Sequence, residues 1–284
     1  MRIVLLGAKG MLGKALKEEF EKVHTVFAFD KNELDITNES AVRLKIGEIK
    51  PDAVINATGY NAVDKIEENE IDCKMAEIIN GYAVGYLAEV CKNLNIPLVH
   101  YSSDYVFKGD SLNGYNEDAV VNPVNKYGVT KALGEKLLQN STDKYYLIRL
   151  SRLFGPKGES EMTKKSFVDI MLELVANGRQ EIDLVDDEKT CSTYSNDLSR
   201  LTRYILENKL PFGIYHGANF GAGTWYEFAK EIFKIKNLAV ECNPVPANKF
   251  PRPAKRPNFS ELINTKLSKQ RSWQEALNEY LQFE

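Results

Sequence analysis

Short apolar segments rich in Val, Ile and Leu recur along the first half of the chain, and longer segments with helical spacing separate them. The apolar segments read RIVLLG, HTVFAFD, PDAVINAT, IPLVHYSSD and KYYLIRLS. Continuous apolar strands that alternate with helices are typical of βαβ units, in which helices cover both faces of a parallel sheet. The pattern predicts an α/β fold with an open, doubly wound parallel sheet of the Rossmann type. Its ligand site would lie outside the carboxyl ends of the strands, where the strand order reverses.

The alternation is regular from residue 1 to about residue 150 and then loosens, with proline-bearing connections such as NPVPANKFPRPAKRPNF. We therefore predict a dinucleotide-binding domain over residues 1–150. Residues 151–284 are predicted to form mainly a smaller substrate-binding region, which packs on the same sheet and returns elements to the first domain. No low-complexity linker separates the two regions, so we expect one compact body.

The amino-acid composition excludes several classes of protein. The 284 residues are 43% hydrophobic and 27% charged, as in ordinary globular proteins, and the net charge of −3 gives no reason to expect a nucleic acid partner. The four cysteines are too far apart for a metal-binding CxxC pair and too few for a disulfide framework. No apolar run approaches a membrane span, and the N-terminus does not read as a signal peptide. We expect a soluble cytoplasmic protein with no membrane partner.

A glycine triplet lies between the first predicted strand and the first predicted helix, at Gly7, Gly10 and Gly13. A turn that brings a pyrophosphate close to backbone N–H groups needs residues without a Cβ, and the following helix N-terminus favours the negative charge. The spacing is GxxGxxG rather than GxGxxG, and an ordinary strand-to-helix turn is the alternative for a lone triplet. The strand before it and the helix after it favour a dinucleotide loop.

An acidic residue, Asp30, ends the second predicted strand, where the adenosine ribose of a dinucleotide should lie. A carboxylate there accepts hydrogen bonds from a free ribose 2′-hydroxyl and repels a 2′-phosphate. Asp30 therefore favours NADH over NADPH as the cofactor. A strand-end cap is the alternative for this residue taken alone.

Tyr127 and Lys131 have the i, i+4 spacing that stacks two side chains on one helix face. A free tyrosine has a pKa of about 10, and a nearby ammonium group stabilises the phenolate and lowers that pKa. Ser103, just past the carboxyl end of a predicted strand, can hold the phenol and a substrate oxygen. This set behind a glycine loop fits hydride transfer between a nicotinamide and a ketone, with Tyr127 as general acid. A surface helix is the alternative for an isolated YxxxK.

These motifs, taken together, resemble those of the extended short-chain dehydrogenase/reductases, and specifically the dTDP-4-dehydrorhamnose reductase family. The resemblance runs over nearly the whole chain, through GAKGMLG, LDITN, NATGYNAVDKIEE, VHYSSDYVFKG, NPVNKYGVTKALGEK and PVPANKFPRPAKRPNFSEL. It implies reduction of the 4-keto group of a nucleotide-linked 6-deoxy sugar, dTDP-4-dehydro-L-rhamnose, with NADH or NADPH. It also implies a homodimer, although no stretch of the sequence identifies an interface.

The resemblance assigns further residues to the site. Those implied at the cofactor, beside the glycines, Asp30, Tyr127 and Lys131, are Met11, Leu12, Asp35, Ile36, Ala57, Thr58, Gly59 and Tyr60. Those implied at the substrate are Val63, Ser103, Asp104, Tyr105, Arg152 and Arg256.

Several positions depart from the family pattern. Ser103 stands where threonine is usual, and Arg152 stands where the family has a tryptophan that contacts the sugar, so the sugar itself is open. The block DDEKTCSTYSNDLS lacks the usual Gly and Pro. Acidic positions that bind a metal in some members are not recognisable, so we predict no metal.

Two other functions stay open. A nucleotide-sugar epimerase or dehydratase uses the same three residues but keeps its NAD bound, and the short substrate region argues against it. A non-catalytic regulatory subunit, like the branch of the family that serves methionine adenosyltransferase, would carry a degraded triad. Asn80 either orders the active site, as a helix asparagine does in related enzymes, or satisfies its own polar surroundings.

Overall fold

A computed structural model describes residues 1–160 and 165–282. Its strands are β1 (Arg2–Leu6), β2 (Thr25–Phe29), β3 (Ala53–Asn56), β4 (Leu98–Ser103), β5 (Tyr145–Leu150), β6 (Leu153–Phe154), β7 (Glu181–Val185), β8 (Thr190–Cys191), β9 (Thr193–Tyr194), β10 (Gly213–His216), β11 (Ala222–Gly223) and β12 (Glu241–Val245). Its α-helices are α1 (Met11–Phe20), α2 (Glu39–Ile49), α3 (Val63–Glu68), α4 (Glu70–Ala76), α5 (Ala83–Asn93), α6 (Lys126–Ser141), α7 (Phe167–Ala176), α8 (Ser195–Glu207), α9 (Trp225–Ile235) and α10 (Trp273–Gln282).

Six parallel strands form the main sheet in the order β2-β1-β3-β4-β5-β10. The strand order reverses at β1, because the chain passes from β2 across β1 to reach β3. Leu6 of β1 pairs with Phe29 of β2 and Asn56 of β3, so the three strands end side by side. This arrangement confirms the predicted Rossmann-type fold and brings the loops after β1, β2 and β3 to one edge.

Apolar side chains pack on both faces of this sheet, as continuous apolar strands require. On one face Leu12, Leu16 and Phe20 of α1 pack with Leu198 and Leu201 of α8. The other face is covered by α2 and α5. Helix α8 and strand β10 come from the second half of the chain, so that half contributes directly to the main sheet and its core.

A separate apolar core lies in the second half, where Phe154, Phe228, Trp273 and Tyr280 pack among α7, α9 and α10. Two pairs of short strands, β6 with β9 and β7 with β12, contribute residues to it, and a third pair, β8 with β11, lies in the same half of the chain. The division into two regions at residue 150 stays a prediction. Over residues 1–160 and 165–282, no helix is long and apolar enough to cross a bilayer.

Candidate active site

The glycine loop after β1 allows close approach of backbone segments. Gly7 has a φ of +77°, and a Cβ there would lie 3.0 Å from the backbone of Ala57 after β3. A Cβ on Gly13 would lie 1.9 Å from the Gly7 carbonyl oxygen, so α1 lies directly against the loop. Gly10, the N-cap of α1, supplies no side-chain hydrogen bond to the helix. The first-turn N–H groups, those of Met11, Leu12 and Gly13, therefore remain without a side-chain cap and suit a phosphate.

The end of β2 lies beside this loop, because the Phe29 carbonyl accepts hydrogen bonds from the N–H groups of Gly7 (2.8 Å) and Ala8 (3.1 Å). Asp30 follows directly, and its carboxylate makes no hydrogen bond within the described chain. Lys9 with Lys14 and Lys17 of α1 lines a cavity of about 170 Å³ next to the loop, which also contains the side chains of four glutamates.

Asp35 and Ile36, the two residues implied at the adenine, each accept hydrogen bonds from other residues of the protein. Asp35 Oδ1 accepts hydrogen bonds from the N–H (2.9 Å) and the hydroxyl (2.8 Å) of Thr37, so this oxygen stabilises its own turn. Ile36 is buried, and its carbonyl accepts a hydrogen bond from the hydroxyl of Tyr86.

The segment after β3 is held by two buried asparagines. Asn56 Oδ1 accepts hydrogen bonds from the N–H (3.1 Å) and the hydroxyl (2.6 Å) of Thr58. Asn80 binds both backbone groups of Tyr60, accepting from its N–H at 2.8 Å and donating to its carbonyl at 2.9 Å. Asn80 Nδ2 also donates to Thr130 on α6 at 3.1 Å. It lies in a single π-helical turn, Glu77–Tyr82, a feature that is frequent at functional sites.

Helix α6 carries Tyr127 and Lys131 and begins with an asparagine cap. Asn125 Oδ1 accepts a hydrogen bond from the N–H of Gly128 at 2.8 Å. A Cβ on Gly128 would lie 2.2 Å from the Tyr105 carbonyl oxygen, and one on Gly134 would lie 2.1 Å from the Asn80 carbonyl oxygen. The first contact places the first turn of α6 against the segment after β4, and the second places the middle of α6 against the π-helical turn.

Tyr127 lies between Tyr105 and Ser103. Its ring meets that of Tyr105 edge to face at 5.4 Å, and its hydroxyl interacts with Ser103. Burial raises the pKa of Tyr127 above its ordinary value, although Ser103 opposes the rise. The predicted lowering of this pKa by Lys131 is therefore wrong for this structure, because burial disfavours the phenolate more strongly.

Lys131 has a different nearest partner, since its Nζ donates to the Tyr101 carbonyl at 2.6 Å. Burial lowers the pKa of Lys131 to about 8, and Glu135 opposes this shift. The ammonium group is therefore easier to deprotonate than that of an exposed lysine.

Ser103 ends β4, and Asp104 follows it. The Ser103 hydroxyl donates to Asp104 Oδ1 at 3.0 Å. Asp104 Oδ2 accepts from Ser260 (2.7 Å) and Thr190 (3.2 Å), so one carboxylate joins three distant segments. Burial raises the pKa of Asp104, despite the hydrogen bonds from Ser260 and Ser103.

A cavity of about 220 Å³ opens beside Asp104 and Tyr105. Three arginines line it, namely Arg152, Arg252 and Arg256, together with Glu188 and Trp225. Arg256 binds Asp64 through two hydrogen bonds of 2.9 and 2.7 Å, and this pair lies next to Val63 at the start of α3. The C-terminal segment is thereby joined to the loop after β3.

Four residues predicted from the sequence, Asp104, Tyr105, Arg152 and Arg256, line one cavity, and several other cavity residues were not predicted. Asn125 is recognisable as an N-cap, since a polar side chain precedes the helix. The roles of Glu188, Trp225, Arg252 and Ser260 depend on contacts across long stretches of chain that leave no local signal. Within the described ranges, no group of three or more His, Cys, Asp or Glu residues is arranged to hold a metal ion.

The residues of the glycine loop fit a dinucleotide, because the turn excludes side chains and the N-terminus of α1 has no side-chain cap. Fold and site together define a nucleotide-binding α/β protein of the Rossmann class. The family model of the RmlD substrate binding domain matches residues 1–284, and the chain belongs to this family.

Relatives span nearly the whole chain. A probable dTDP-4,6-dihydroxy-2-methyloxan-3-one 4-ketoreductase of Streptomyces antibioticus is 36% identical, over 98% of this chain and 94% of its own. The dTDP-4-dehydrorhamnose reductase of Aggregatibacter actinomycetemcomitans is 34% identical, over 97% of each chain. A crystal structure of dTDP-4-dehydrorhamnose reductase from Bacillus anthracis in complex with NADP superposes with a TM-score of 0.93 at 34% identity, covering 100% of this chain and 99% of that one. The predicted family and the predicted class, a nicotinamide-dependent oxidoreductase, are confirmed.

Proposed function

We propose that the protein reduces the 4-keto group of a nucleotide-linked 6-deoxy sugar, converting dTDP-4-dehydro-L-rhamnose to dTDP-L-rhamnose with NADH or NADPH. The observation that carries this proposal is the position of Tyr127. Its hydroxyl interacts with Ser103 at the end of β4, and its ring contacts Tyr105, which lines a cavity large enough for part of a sugar nucleotide. The names of the relatives support the same reaction.

The roles of the three catalytic residues follow from their contacts. When bound, the reduced nicotinamide supplies the hydride to C4. Tyr127 holds the proton that the ketone oxygen takes up, and Ser103 orients the phenol. Lys131 lies one helical turn further along α6, where its ammonium group would donate a hydrogen bond to the cofactor ribose. The raised pKa of Tyr127 keeps the phenol protonated until the substrate oxygen becomes basic.

Residues along the edge of the sheet would hold the cofactor and the substrate. In this proposal the glycine loop with Met11 and Leu12 binds the pyrophosphate, Asp30 the ribose, and Asp35 and Ile36 border the adenine. Ala57, Thr58, Gly59 and Tyr60 line the nicotinamide half. The substrate contacts Val63, Asp104, Tyr105, Arg152 and Arg256.

The preference between the two cofactors belongs to this proposal as well. Asp30 favours NADH, because its carboxylate lacks a partner within the described chain and can accept from a ribose 2′-hydroxyl. Lys9 is the residue that would bind a 2′-phosphate, although the cavity that it lines holds three lysines and four glutamates. We expect both cofactors to be used, with NADH ahead.

One assay tests the reaction. Purified protein receives dTDP-4-dehydrorhamnose with NADH or NADPH, and absorbance at the nicotinamide band reports turnover. Tyr127→Phe should lower kcat by about 10²–10⁴-fold. Tyr82→Phe is the matched control, because Tyr82 is 54% exposed and lies outside the site. Full activity of Tyr127→Phe would overturn the assignment of the general acid.

The same preparation separates the alternatives. Tightly bound NAD that is recycled without net oxidation would indicate an epimerase or dehydratase. Cofactor binding without turnover of any keto-sugar nucleotide would indicate a regulatory subunit. We also propose that the protein forms a homodimer, which light scattering would test. We propose a cytoplasmic location, which suits the four free cysteines.

A further inference from the structure

Two buried histidines lie in the main sheet, and the proposed reaction uses neither of them. His100 lies in β4 and His216 in β10, and each residue is 1% exposed. In each imidazole, Nε2 is buried and has no hydrogen-bond partner among the residues that the structure describes. The partner of Nδ1 therefore decides which nitrogen of each neutral ring carries the proton.

The partner of His100 is Asn56, which lies directly opposite it where β3 pairs with β4. Asn56 Oδ1 accepts two hydrogen bonds from Thr58, from its N–H at 3.1 Å and from its hydroxyl at 2.6 Å. A backbone N–H can only donate, so this contact fixes the amide oxygen on the Thr58 side. Asn56 Nδ2 then lies 3.2 Å from His100 Nδ1. Because an amide nitrogen is a donor, Nδ1 accepts and the proton of His100 lies on Nε2.

Asn56 connects His100 to the glycine loop. A Cβ on Gly7 would lie 3.0 Å from the Thr58 nitrogen, so the segment held by Asn56 lies directly against that loop. Asn56 is fully buried, and within the described chain its Nδ2 donates to His100 alone. Removing that acceptor would leave a buried donor unpaired, which is costly. The amide would also lose the contact that keeps its oxygen turned toward Thr58.

The neutral state of His100 suits this role. Burial lowers the pKa of His100 well below its ordinary value, and Lys131 adds to the shift. We infer that His100 is a positioning residue for the cofactor site, whose Nδ1 fixes the amide of Asn56 and thereby holds Thr58 against the glycine loop. This inference rests on the proposed contact between the loop after β3 and the cofactor. It does not depend on which sugar is reduced.

His216 provides an internal standard for the proton position. Its Nδ1 lies 3.0 Å from the Ile263 carbonyl oxygen, which can only accept, so the proton of His216 lies on Nδ1. The two buried histidines should therefore be opposite neutral tautomers. NMR of protein labelled with ¹⁵N in its three histidines distinguishes the tautomers, and the spectra of His100→Asn and His216→Asn assign the signals. A proton on Nδ1 of His100 in the wild type would overturn the inference.

Two substitutions of His100 separate the acceptor from the packing. Leucine nearly fills the volume of the imidazole but offers no acceptor, whereas asparagine is smaller and can place its Oδ1 close to the position of Nδ1. Fluorescence titration with NADH measures the affinity. We expect the Kd of His100→Leu to rise about tenfold, because the Asn56 donor loses its partner, and that of His100→Asn to stay within about threefold of wild type.

His216→Leu is the matched control, since it removes a buried histidine of the same sheet that binds the Ile263 carbonyl instead of Asn56. It should leave the Kd for NADH unchanged. A double variant tests the route through Asn56, because His100→Leu should cause no further loss of affinity when added to Asn56→Ala. His100→Ile is the second variant if His100→Leu does not fold, and thermal melting checks the fold of each protein.

The other outcomes overturn the inference. A loss of affinity in His100→Asn equal to or greater than that in His100→Leu would mean that packing volume decides. An unchanged Kd in His100→Leu, an equal loss in His216→Leu, or a wild-type protein that binds neither cofactor would also reject it. The proposed reaction fails separately: NADH binding that depends on His100 as expected, without turnover of any keto-sugar nucleotide, would reject the reaction and retain the inference.

Discussion

The loop after β1 and the cavity after β4 lie at the same edge of the sheet, yet different contacts hold them. The glycine loop is shaped by backbone that approaches backbone, as at Gly7 and Gly13. The cavity is shaped by charged side chains from distant segments, such as Asp104 and Arg256. A loop that depends on backbone contacts tolerates few substitutions, because any added side chain would clash. A cavity lined by side chains can change its ligand specificity through single substitutions. Cofactor binding should therefore be the more fragile property and sugar recognition the more adjustable one.

Within the comparison of the two regions, the largest effect should follow a change in the glycine loop. Gly13→Ala would place a Cβ 1.9 Å from the Gly7 carbonyl oxygen, so α1 must move away from the loop. We expect affinity for NADH to fall by about 100-fold, and the free energy of unfolding to fall by about 1–3 kcal/mol as for other overpacked sites. Fluorescence titration and urea unfolding measure the two effects.

Gly47→Ala is the matched control for this prediction. Gly47 lies in α2, and a Cβ there meets nothing within 4 Å. Alanine should stabilise that helix by about 0.5–1 kcal/mol without changing NADH affinity. Equal NADH affinity in Gly13→Ala and wild type would show that the loop is less tightly constrained than its geometry indicates.

The next largest effect should be on kcat, through the contact between Asp104 in the cavity and Ser103 of the proposed triad. Since Ser103 donates to Asp104, the carboxylate fixes where the single hydroxyl proton of Ser103 points. Ser103→Ala should lower kcat by about 10–100-fold and Asp104→Asn by about tenfold, with smaller changes in KM. If Asp104 acts through Ser103, the double variant should be no slower than Ser103→Ala alone.

Losses that multiply in this double variant would mean that Asp104 acts independently of Ser103. Ser260→Ala is the comparison, because Ser260 binds the other oxygen of the same carboxylate. Its effect should be smaller than that of Asp104→Asn, since the contact with Ser103 remains.

The same contrast explains how much the sequence could predict. The glycine triplet and the YxxxK motif each lie within a short stretch of sequence. The strands and helices that flank them can also be predicted, so the place of each motif in the fold follows. The fold was therefore accessible from the sequence, and the triad stays a prediction. The Arg252–Glu188 pair joins residues 64 positions apart and the Arg256–Asp64 pair residues 192 positions apart. Spacing carries no information about such pairs.

Electrostatics was predictable only in part. The ammonium group of Lys131 was expected to lower the pKa of Tyr127, but burial raises that pKa. Burial depends on packing from several segments, including the C-terminal one, and a motif of two residues cannot report it. Likewise, Arg152 was visible as a departure from the family pattern, whereas its stacking on Trp225 was not.

Substitutions that alter the preference between NADH and NADPH should have an intermediate effect, because this preference depends on side chains that lie beside the glycine loop. Asp30→Ala should raise the ratio of kcat/KM for NADPH over NADH by about tenfold, since a carboxylate that repels the 2′-phosphate is removed. Lys9→Ala should shift the ratio in the opposite direction. Steady-state kinetics with both cofactors measures the ratio, and shifts of the same sign in both variants would contradict the assignment.

The smallest effect concerns the ion pair that joins the cavity to the loop after β3. Burial opposes ionisation of Asp64, yet hydrogen bonds from Arg256 and the Ala254 N–H outweigh it and lower the pKa of Asp64. A lowered pKa in the folded state stabilises the protein above the unfolded value of about 3.9, and this contribution is lost as the pH falls through the folded-state pKa. Because the Asp64 side chain is 39% exposed, we expect only about 1 kcal/mol at pH 7.

Urea unfolding of wild type and Asp64→Asn should therefore differ by about 1 kcal/mol at pH 7, and the difference should shrink as the pH is lowered below about 4. Asp118→Asn serves as the control, because Asp118 is exposed and lies 3.8 Å from its nearest cation, Lys266. It should show little difference from wild type at pH 7. The difference in the free energy of unfolding between Asp64→Asn and wild type could instead stay constant down to acid pH. That result would mean that the amide disturbs packing, and that the charge of Asp64 does not stabilise the contact between the C-terminal segment and the loop after β3.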